Sequence, residues 1–449
     1  MSKTKLLKFK QYYFRTKPGG LSEGPSFVSD QSKGNFSEVV THLIDRKYIH
    51  LTANGDCHLL PKGLFLHEAI VARAKEMMDA EGAHRYRFSS FFSVADGKPV
   101  SELTKKFEAQ MFDVSGGKIS RHTSLKYASD PVLFQYFSRR AVHTPLKVYS
   151  PDYFFRAVQT GELKPLINPR EFFMTDFHYF CEPSDFDSFL SAAVLNKRAV
   201  ELFAQPGEWY LNIDTNEYFF DAYRQTLLRM LDTLSINAVI NVASEKTHYY
   251  SLQFQFMVDY YRGNRTQLAN LQFDEKNGPA FGIVSRQSGK SVSIIHGTLF
   301  GRTEKVIALV FGKQIEKGRT GEHKTILPAW LSPIVVRIIP VDRNAEVTDT
   351  YIAQLRRRLE DIHCRYDIDC RKLAFSEKIK DAEKDWTPFQ VVIGKKEIEN
   401  REMSIRDRSR NSTYTVGLEK GIEIIQSWIG DAPAQTQTTP RILLESDIY

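Results

Sequence analysis

The sequence predicts an α+β chain: an antiparallel sheet flanked by helices, followed by a small α/β domain. Three features carry that expectation. Tyr153 to Cys181 reads YFFRAVQTGELKPLINPREFFMTDFHYFC. An aromatic-rich run, a polar turn with glycine and a returning run make the pattern of an antiparallel hairpin with a long connection. SLQFQFMVDY and QLANLQFDE alternate as strands with one buried face do, and VSIIHG adds a third. Beyond residue 328, apolar runs (IVVRIIPV, CRYDID, FQVVI) alternate with helical ones, which implies a mainly parallel sheet.

Taken in order, residues 1–35 are basic, then rich in Gly, Ser and Pro, and read as an extended arm. A short helix (FSEVVTHLIDRK) precedes a longer one, in which Leu66, Ile70, Ala74 and Met77 make one apolar face. PVSELTKKFEAQMFDV reads as helical and HTPLKVYS as a strand. Two helices are expected between 184 and 245, and nothing else stands out there. GRTEKVIALVFGKQI is helical, with Val306, Leu309 and Val310 on one face, and KGRTGEHK (317–324) reads as a linker. In the last third, Ile352, Leu355, Leu359 and Ile362 form a helical stripe, SEKIKDAEKDW and LEKGIEIIQSWI two further helices, and the tail looks loosely held. These patterns divide the chain into an arm (1–35), a large domain (36–320), a small domain (328–430) and a tail (431–449).

Composition bounds the function classes. A chain of 449 residues with 42% hydrophobic and 26% charged content has room for two or three cored domains. A net charge of +7 points mildly to an anionic partner. The four cysteines form no CxxC pair, which fits a reducing, cytoplasmic setting. The N-terminus has no secretory pattern, and no run approaches 18 apolar residues, so no membrane association is expected.

The hairpin carries the chemistry. It sets Arg156 on one strand and Asp176 and His178 on the other, available to one cleft. The plain alternative for Arg156 is an inter-strand ion pair with Glu162 or Glu171. Phe155, Arg156, Gln159, Thr160, Gly161, Glu162 and Leu163, then Arg170, Phe172, Met174, Asp176 and His178, are similar in order and spacing to motif 2 of the class II aminoacyl-tRNA synthetases. More narrowly, the stretch resembles the archaeal type of threonyl-tRNA synthetase. The LLPKG entry to the long helix resembles motif 1, with Ser89 where a proline is expected, and HGTLFGRTEKVIALVFGK resembles motif 3.

That resemblance implies the synthetase fold and a threonine–tRNA ligase using ATP and Mg2+. It gives Arg156 the α-phosphate and Lys305 the γ-phosphate, although Lys305 stands where the family has arginine. Arginine suits phosphate because its planar fork donates two parallel hydrogen bonds. Val158 stands where a glutamate receives the adenine amino group, and Asn168 where another arginine is expected. Zn2+ would sit on Asp130, His178 and His296, with Asp130 at the family's cysteine position. The metal takes the threonine amino and hydroxyl groups, so valine, which lacks the hydroxyl, is rejected. Asp176, Gln272 and Asp274 match substrate-contacting positions.

The C-terminal third resembles the anticodon-binding domain of threonyl-, prolyl-, histidyl- and glycyl-tRNA synthetases. Glu397 and Arg406 fall at its base-reading positions, and Lys378, Lys380, Lys395 and Lys396 at candidate phosphate contacts. The implied partners are tRNA, a second copy in a homodimer, and a separate editing protein, because no editing domain is matched. The alternative is a synthetase-like paralogue that binds tRNA without activating an amino acid.

Overall fold

A computed structural model describes residues 9–16, 19–22, 36–95, 97–116, 123–245, 248–321, 324–341 and 345–444. Contacts divide the chain into two compact units, Met1–Gly34 with Val71–Val306, and Asn35–Ile70 with Ile307–Tyr449. Both cuts fall inside long helices, Pro61–Ala80 and Thr303–Thr320.

The first unit is built on a ten-stranded sheet. Its central order runs Ala238–Ala243, Trp209–Asn216, Tyr250–Tyr261, Asn264–Asp274, Ser293–Arg302, Glu171–Cys181 and Leu146–Phe155. All neighbours in that run are antiparallel except the first pair. The expected hairpin is there, with Phe155 opposite Glu171 and Leu146 opposite Phe180. Helix Phe186–Glu201 lies on three of these strands. It buries Phe189, Ala192, Ala193, Asn196, Ala199 and Val200, a stripe at helical spacing, and Asp185 caps it by accepting from Ser188 N at 2.9 Å.

Three expectations are corrected here. Residues 9–16 form a strand, Phe9–Thr16, that pairs with Ala238–Ala243 and buries Tyr13 and Phe14; the rest of the expected arm is largely outside the described residues. Trp209–Asn216 and Ala238–Ala243 are strands flanking the second predicted helix, Glu217–Leu234. The stretch 99–114 is helical only to Gln110, its second half as a tight 3-10 turn.

In the second unit a six-stranded sheet runs Ser412–Gly417, Glu402–Asp407, Phe389–Ile393, Val336–Pro340, Tyr366–Asp369 and Ile442–Leu443. The last four strands of that order are parallel. The stripe Ile352, Leu355 and Leu359 packs with Val336, Ile338, Phe389 and Ile425. The tail is held: Gln437 accepts from Tyr366 N at 3.1 Å and donates to Tyr366 O at 3.0 Å, and Ile442–Leu443 extends the sheet. The expected linker is half helix, through Thr320, while Glu322 and His323 lie outside the described residues.

Residues 36–70 cluster with this unit and not with the large domain. Tyr48 packs edge-on to Phe311, which stacks on Trp386, and Lys62 Nζ meets Asp385 at 2.9 Å. Arg337 completes this buried cluster with two bonds to Asp367, at 2.9 and 2.7 Å, and one to Asp385 at 3.1 Å.

Candidate active site

Two cross-strand rows floor the site. Asp176, Thr298 and Asn270 face one another across three strands; one step along, so do His178, His296 and Gln272. Side chains two apart on a strand share a face, so these six polar residues meet on one surface of the sheet. Gly297 makes the row possible. A Cβ there would lie 2.1 Å from the fully buried Phe177 ring.

Asp130 begins the helix Asp130–Phe137 and joins the two histidines from outside the sheet. The three ligand atoms lie within 4.8 Å of one another. Asp130 Oδ1 is 2.7 Å from His296 Nδ1 and 3.5 Å from His178 Nε2. The second approach lacks hydrogen-bond geometry, so the buried His178 Nε2 has no partner among the described residues. Phe134 packs edge-on against both imidazoles, with ring centroids 5.6 and 5.5 Å away.

His296 turns its other nitrogen, Nε2, to Asp274 Oδ2 at 2.9 Å. Burial works against a charged His296, but Asp130 and then Asp274 outweigh it and push the imidazole up to about 10. For Asp130, burial is likewise the largest influence and opposes ionisation; His296 and His178 overcome it and hold the carboxyl well below its usual range. Asp176, whose Oδ2 accepts from Ser129 N at 3.3 Å, is pushed up by burial.

A metal fits this arrangement. An unpartnered imidazole nitrogen, a carboxylate oxygen and a second imidazole nitrogen converge. His296 donates its outer N–H to a carboxylate, as metal-bound imidazoles usually do. Asp274 is therefore placed differently from Asp176 and Gln272. It is fully buried, and it also accepts from Lys276 N, Asn277 N and Asn277 Nδ2.

A cavity of about 250 Å³ opens over the floor, lined among others by Asp130, Arg156, Asp176, Tyr249, Gln272 and His296. Tyr249 OH donates to Gln272 Oε1 at 2.6 Å and fixes that side chain. At one end stands Arg156, one residue beyond its strand. It makes no ion pair with Glu162 or Glu171; its Nε donates to Tyr127 O at 3.3 Å.

Two further cations lie on that side. Among the described residues Lys305 Nζ reaches only Gln267 O, at 3.4 Å, and is drawn down to about 8, by burial first and then by Arg302 and Arg156. Arg302, which motif spacing did not single out, lies over the Phe172 ring at 4.1 Å from its centroid, and Arg156 lies 5.2 Å from the same ring. Glu304 accepts from Phe173 N at 3.2 Å, and burial pushes it up to about 7.

In the second unit Arg406 is exposed on strand Glu402–Asp407. Glu397 is half-buried and accepts from Gly394 N at 2.9 Å, capping its own short helix. Lys380, Lys395 and Lys396 are exposed. Lys378 is not available to a phosphate: it is buried, and its Nζ donates to Asp369 O at 2.9 Å.

Residues 335–428 match the family described as the anticodon binding domain. The chain is 27% identical to the threonine–tRNA ligase of Hyperthermus butylicus over 362 residues, covering 79% of this chain and 57% of that protein. It is 27% identical to the Pyrococcus horikoshii threonine–tRNA ligase over 402 residues, 87% of this chain and 63% of the relative. It thus spans about three fifths of the length of these relatives.

Among solved structures, the RNA binding domain of threonyl-tRNA synthetase from Cryptosporidium parvum Iowa II superposes with a TM-score of 0.72 at 19% identity, covering 87% of this chain and 98% of that one. The Cryptosporidium parvum prolyl-tRNA synthetase complexed with halofuginone and AMPPNP gives 0.67 at 15% identity, covering 89% and 80%. The chain has the class II synthetase fold with an anticodon-binding domain, and its sequence is similar to archaeal-type threonyl-tRNA synthetases.

Proposed function

We propose that the chain is a threonine–tRNA ligase of catalytic type, forming threonyl-adenylate from ATP and passing threonine to tRNA. One observation carries this reading: Asp130, His178 and His296 converge, and Asp130 and His296 line the cavity together with Arg156, Asp176 and Gln272. In activation, a carboxylate oxygen of threonine bonds to the α-phosphorus of ATP and the bond to pyrophosphate breaks. No protein nucleophile is required; the chain positions the reactants and stabilises charge.

Arg156 is assigned to the α-phosphate and Lys305 to the far end of the triphosphate, which ATP brings with Mg2+. Asp176 is assigned to the threonine ammonium, and Gln272, held by Tyr249, to the substrate's polar groups. Zn2+ on Asp130, His178 and His296 would supply a Lewis-acid contact to the amino and hydroxyl groups and so select threonine over valine. Asp274 is assigned to orienting His296. In the anticodon-binding domain, Glu397 and Arg406 are assigned to base reading. A homodimer, a separate editing protein and a cytoplasmic setting complete the proposal; the last rests on four cysteines with no CxxC spacing. Among the described residues no helix is long and apolar enough to cross a membrane.

A paralogue that binds tRNA without activation is the second reading. Its support is that Phe172, beside Arg156, has no exposed surface and carries the Arg302 side chain on its face. Threonine-dependent pyrophosphate exchange with ATP separates the two, with zinc measured on the same sample. Exchange with bound zinc is expected. No exchange with any amino acid, despite tRNA binding, would transfer the case to the paralogue.

A further inference from the structure

On the nucleotide side the chain lacks an arginine at two positions where motif spacing expects one, Asn168 and Lys305. A guanidinium is nevertheless present. Arg302 ends strand Ser293–Arg302, and its Nη1 donates both to Ile167 O and to Asn168 Oδ1, each at 3.1 Å. The arginine thus leans on the asparagine, with its guanidinium carbon over the Phe172 ring.

With Nη1 committed, the Nε–Nη2 edge remains. Among the described residues it has no hydrogen-bond partner. That edge is one of the two-pronged faces by which arginine takes a phosphate.

The charge balance points the same way. Arg156, Arg302 and Lys305 are all half-buried, and none has a carboxylate within ion-pair distance among the described residues. Burial and mutual repulsion hold Arg302 down to about 10. Three neighbouring like charges, half-buried and without a directly bonded counter-charge, are costly to keep unless a polyanion joins them.

We propose that Arg302 is a triphosphate-binding residue of this chain, supplying the planar donor fork that Asn168 and Lys305 lack. The assignment rests on the ligase reading for the identity of the anion as ATP. It makes Lys305 a point charge working beside Arg302, and Arg156 a second guanidinium near the Phe172 ring.

The test uses the full chain with Arg302→Gln and Arg302→Lys. ATP binding with Mg2+ is measured by calorimetry, adenosine binding in parallel, and threonine-dependent exchange gives KM and kcat. Arg302→Gln is expected to weaken ATP binding and raise its KM by about 10–100-fold, the range for losing charge-assisted hydrogen bonds. Adenosine affinity and the KM for threonine are expected to stay within about twofold, and Arg302→Lys to recover only part of the loss. A variant that merely disturbs the fold would lose adenosine as well as ATP, and that outcome overturns the assignment. Unchanged or tighter ATP binding in Arg302→Gln also overturns it, and identifies Arg302 as a cover on the ring. If ATP binding falls as expected but no amino acid supports exchange in the parent chain, the ligase reading fails and Arg302 remains a phosphate ligand. If the parent exchanges and Arg302→Gln matches it, the reverse holds.

Discussion

Replacing Asp274 with asparagine is expected to weaken zinc binding without opening the metal site to solvent. The two carboxylate oxygens divide their work. Oδ1 accepts from Lys276 N at 2.7 Å and Asn277 N at 3.1 Å; Oδ2 accepts from Asn277 Nδ2 at 2.6 Å and His296 Nε2 at 2.9 Å. Asparagine keeps an oxygen for the two backbone donors, so the turn persists. It places an NH2 where Oδ2 was, donor against donor at both remaining contacts. Two buried hydrogen bonds are lost, worth about 2–4 kcal/mol of folding stability together. His296 loses the carboxylate that sets its tautomer and ring angle, which costs metal affinity about 10–100-fold, or about 1.4–2.7 kcal/mol. Zinc affinity read by competition with a chromophoric chelator, beside urea unfolding of the same samples, separates these effects. Asn277→Ala is the control: it removes the Nδ2 bond and leaves His296 paired, so it should lower stability and spare zinc. If Asp274→Asn binds zinc as tightly as the parent, or Asn277→Ala weakens zinc equally, the carboxylate does not orient His296.

Two further outcomes follow from buried charge. Glu304 is raised from 4.5 to about 7, so between those values it is protonated in the folded chain and ionised in the unfolded one. The unfolded state then holds fewer protons, and stability falls as pH rises through that window and levels above it, by about 3 kcal/mol at about 1.4 kcal/mol per pH unit. Glu304→Gln should flatten that slope in urea midpoints taken from pH 4.5 to 7.5; an unaltered slope would assign it to another group. Arg337→Ala strands Asp367, 1% exposed, and weakens the hold on Asp385, for an expected loss of about 3–5 kcal/mol in urea unfolding. Arg337→Met with Asp367→Leu should regain most of it, and failure to do so would mean that shape outweighs charge in this cluster.

The parts legible in the sequence were those whose pattern is local. The motif hairpin, the Ile352–Leu355–Leu359 stripe and FQVVI carry their period within a dozen residues, and the structure has each where the pattern put it. Phe9–Thr16 was hidden because what makes it a strand is a partner more than 220 residues away. Trp209–Asn216 and Ala238–Ala243 are short and flank a long amphipathic helix, whose stronger periodicity dominates any window across them. In the site, the residues that motif spacing offered do meet: Asp130, His178 and His296 in one cluster, Asp176 and Gln272 beside it. Spacing says nothing of direction, however. It could not tell that Asp274 turns into the protein while Gln272 turns to the cavity, or that Lys378 reaches back to a carbonyl. Arg302 was missed for a related reason. A template matched at Gly301 and Glu304 draws attention to Lys305, where the family's arginine falls, while the guanidinium stands at the end of the strand before it.

The helix that begins at Asp130 also bears on how such a site can change over evolutionary time. His178 and His296 face each other in a ladder, where any replacement must suit both strands. Asp130 belongs to no strand, sits in the first turn of its helix and brings Phe134, one turn on, against both imidazoles. A carboxylate at a helix start is well tolerated, so this donor can be exchanged while the wedge and the ladder stay as they are. A replacement at Asp130 would therefore change the chemical softness of the cluster while the histidine ladder and the Phe134 wedge stay in place.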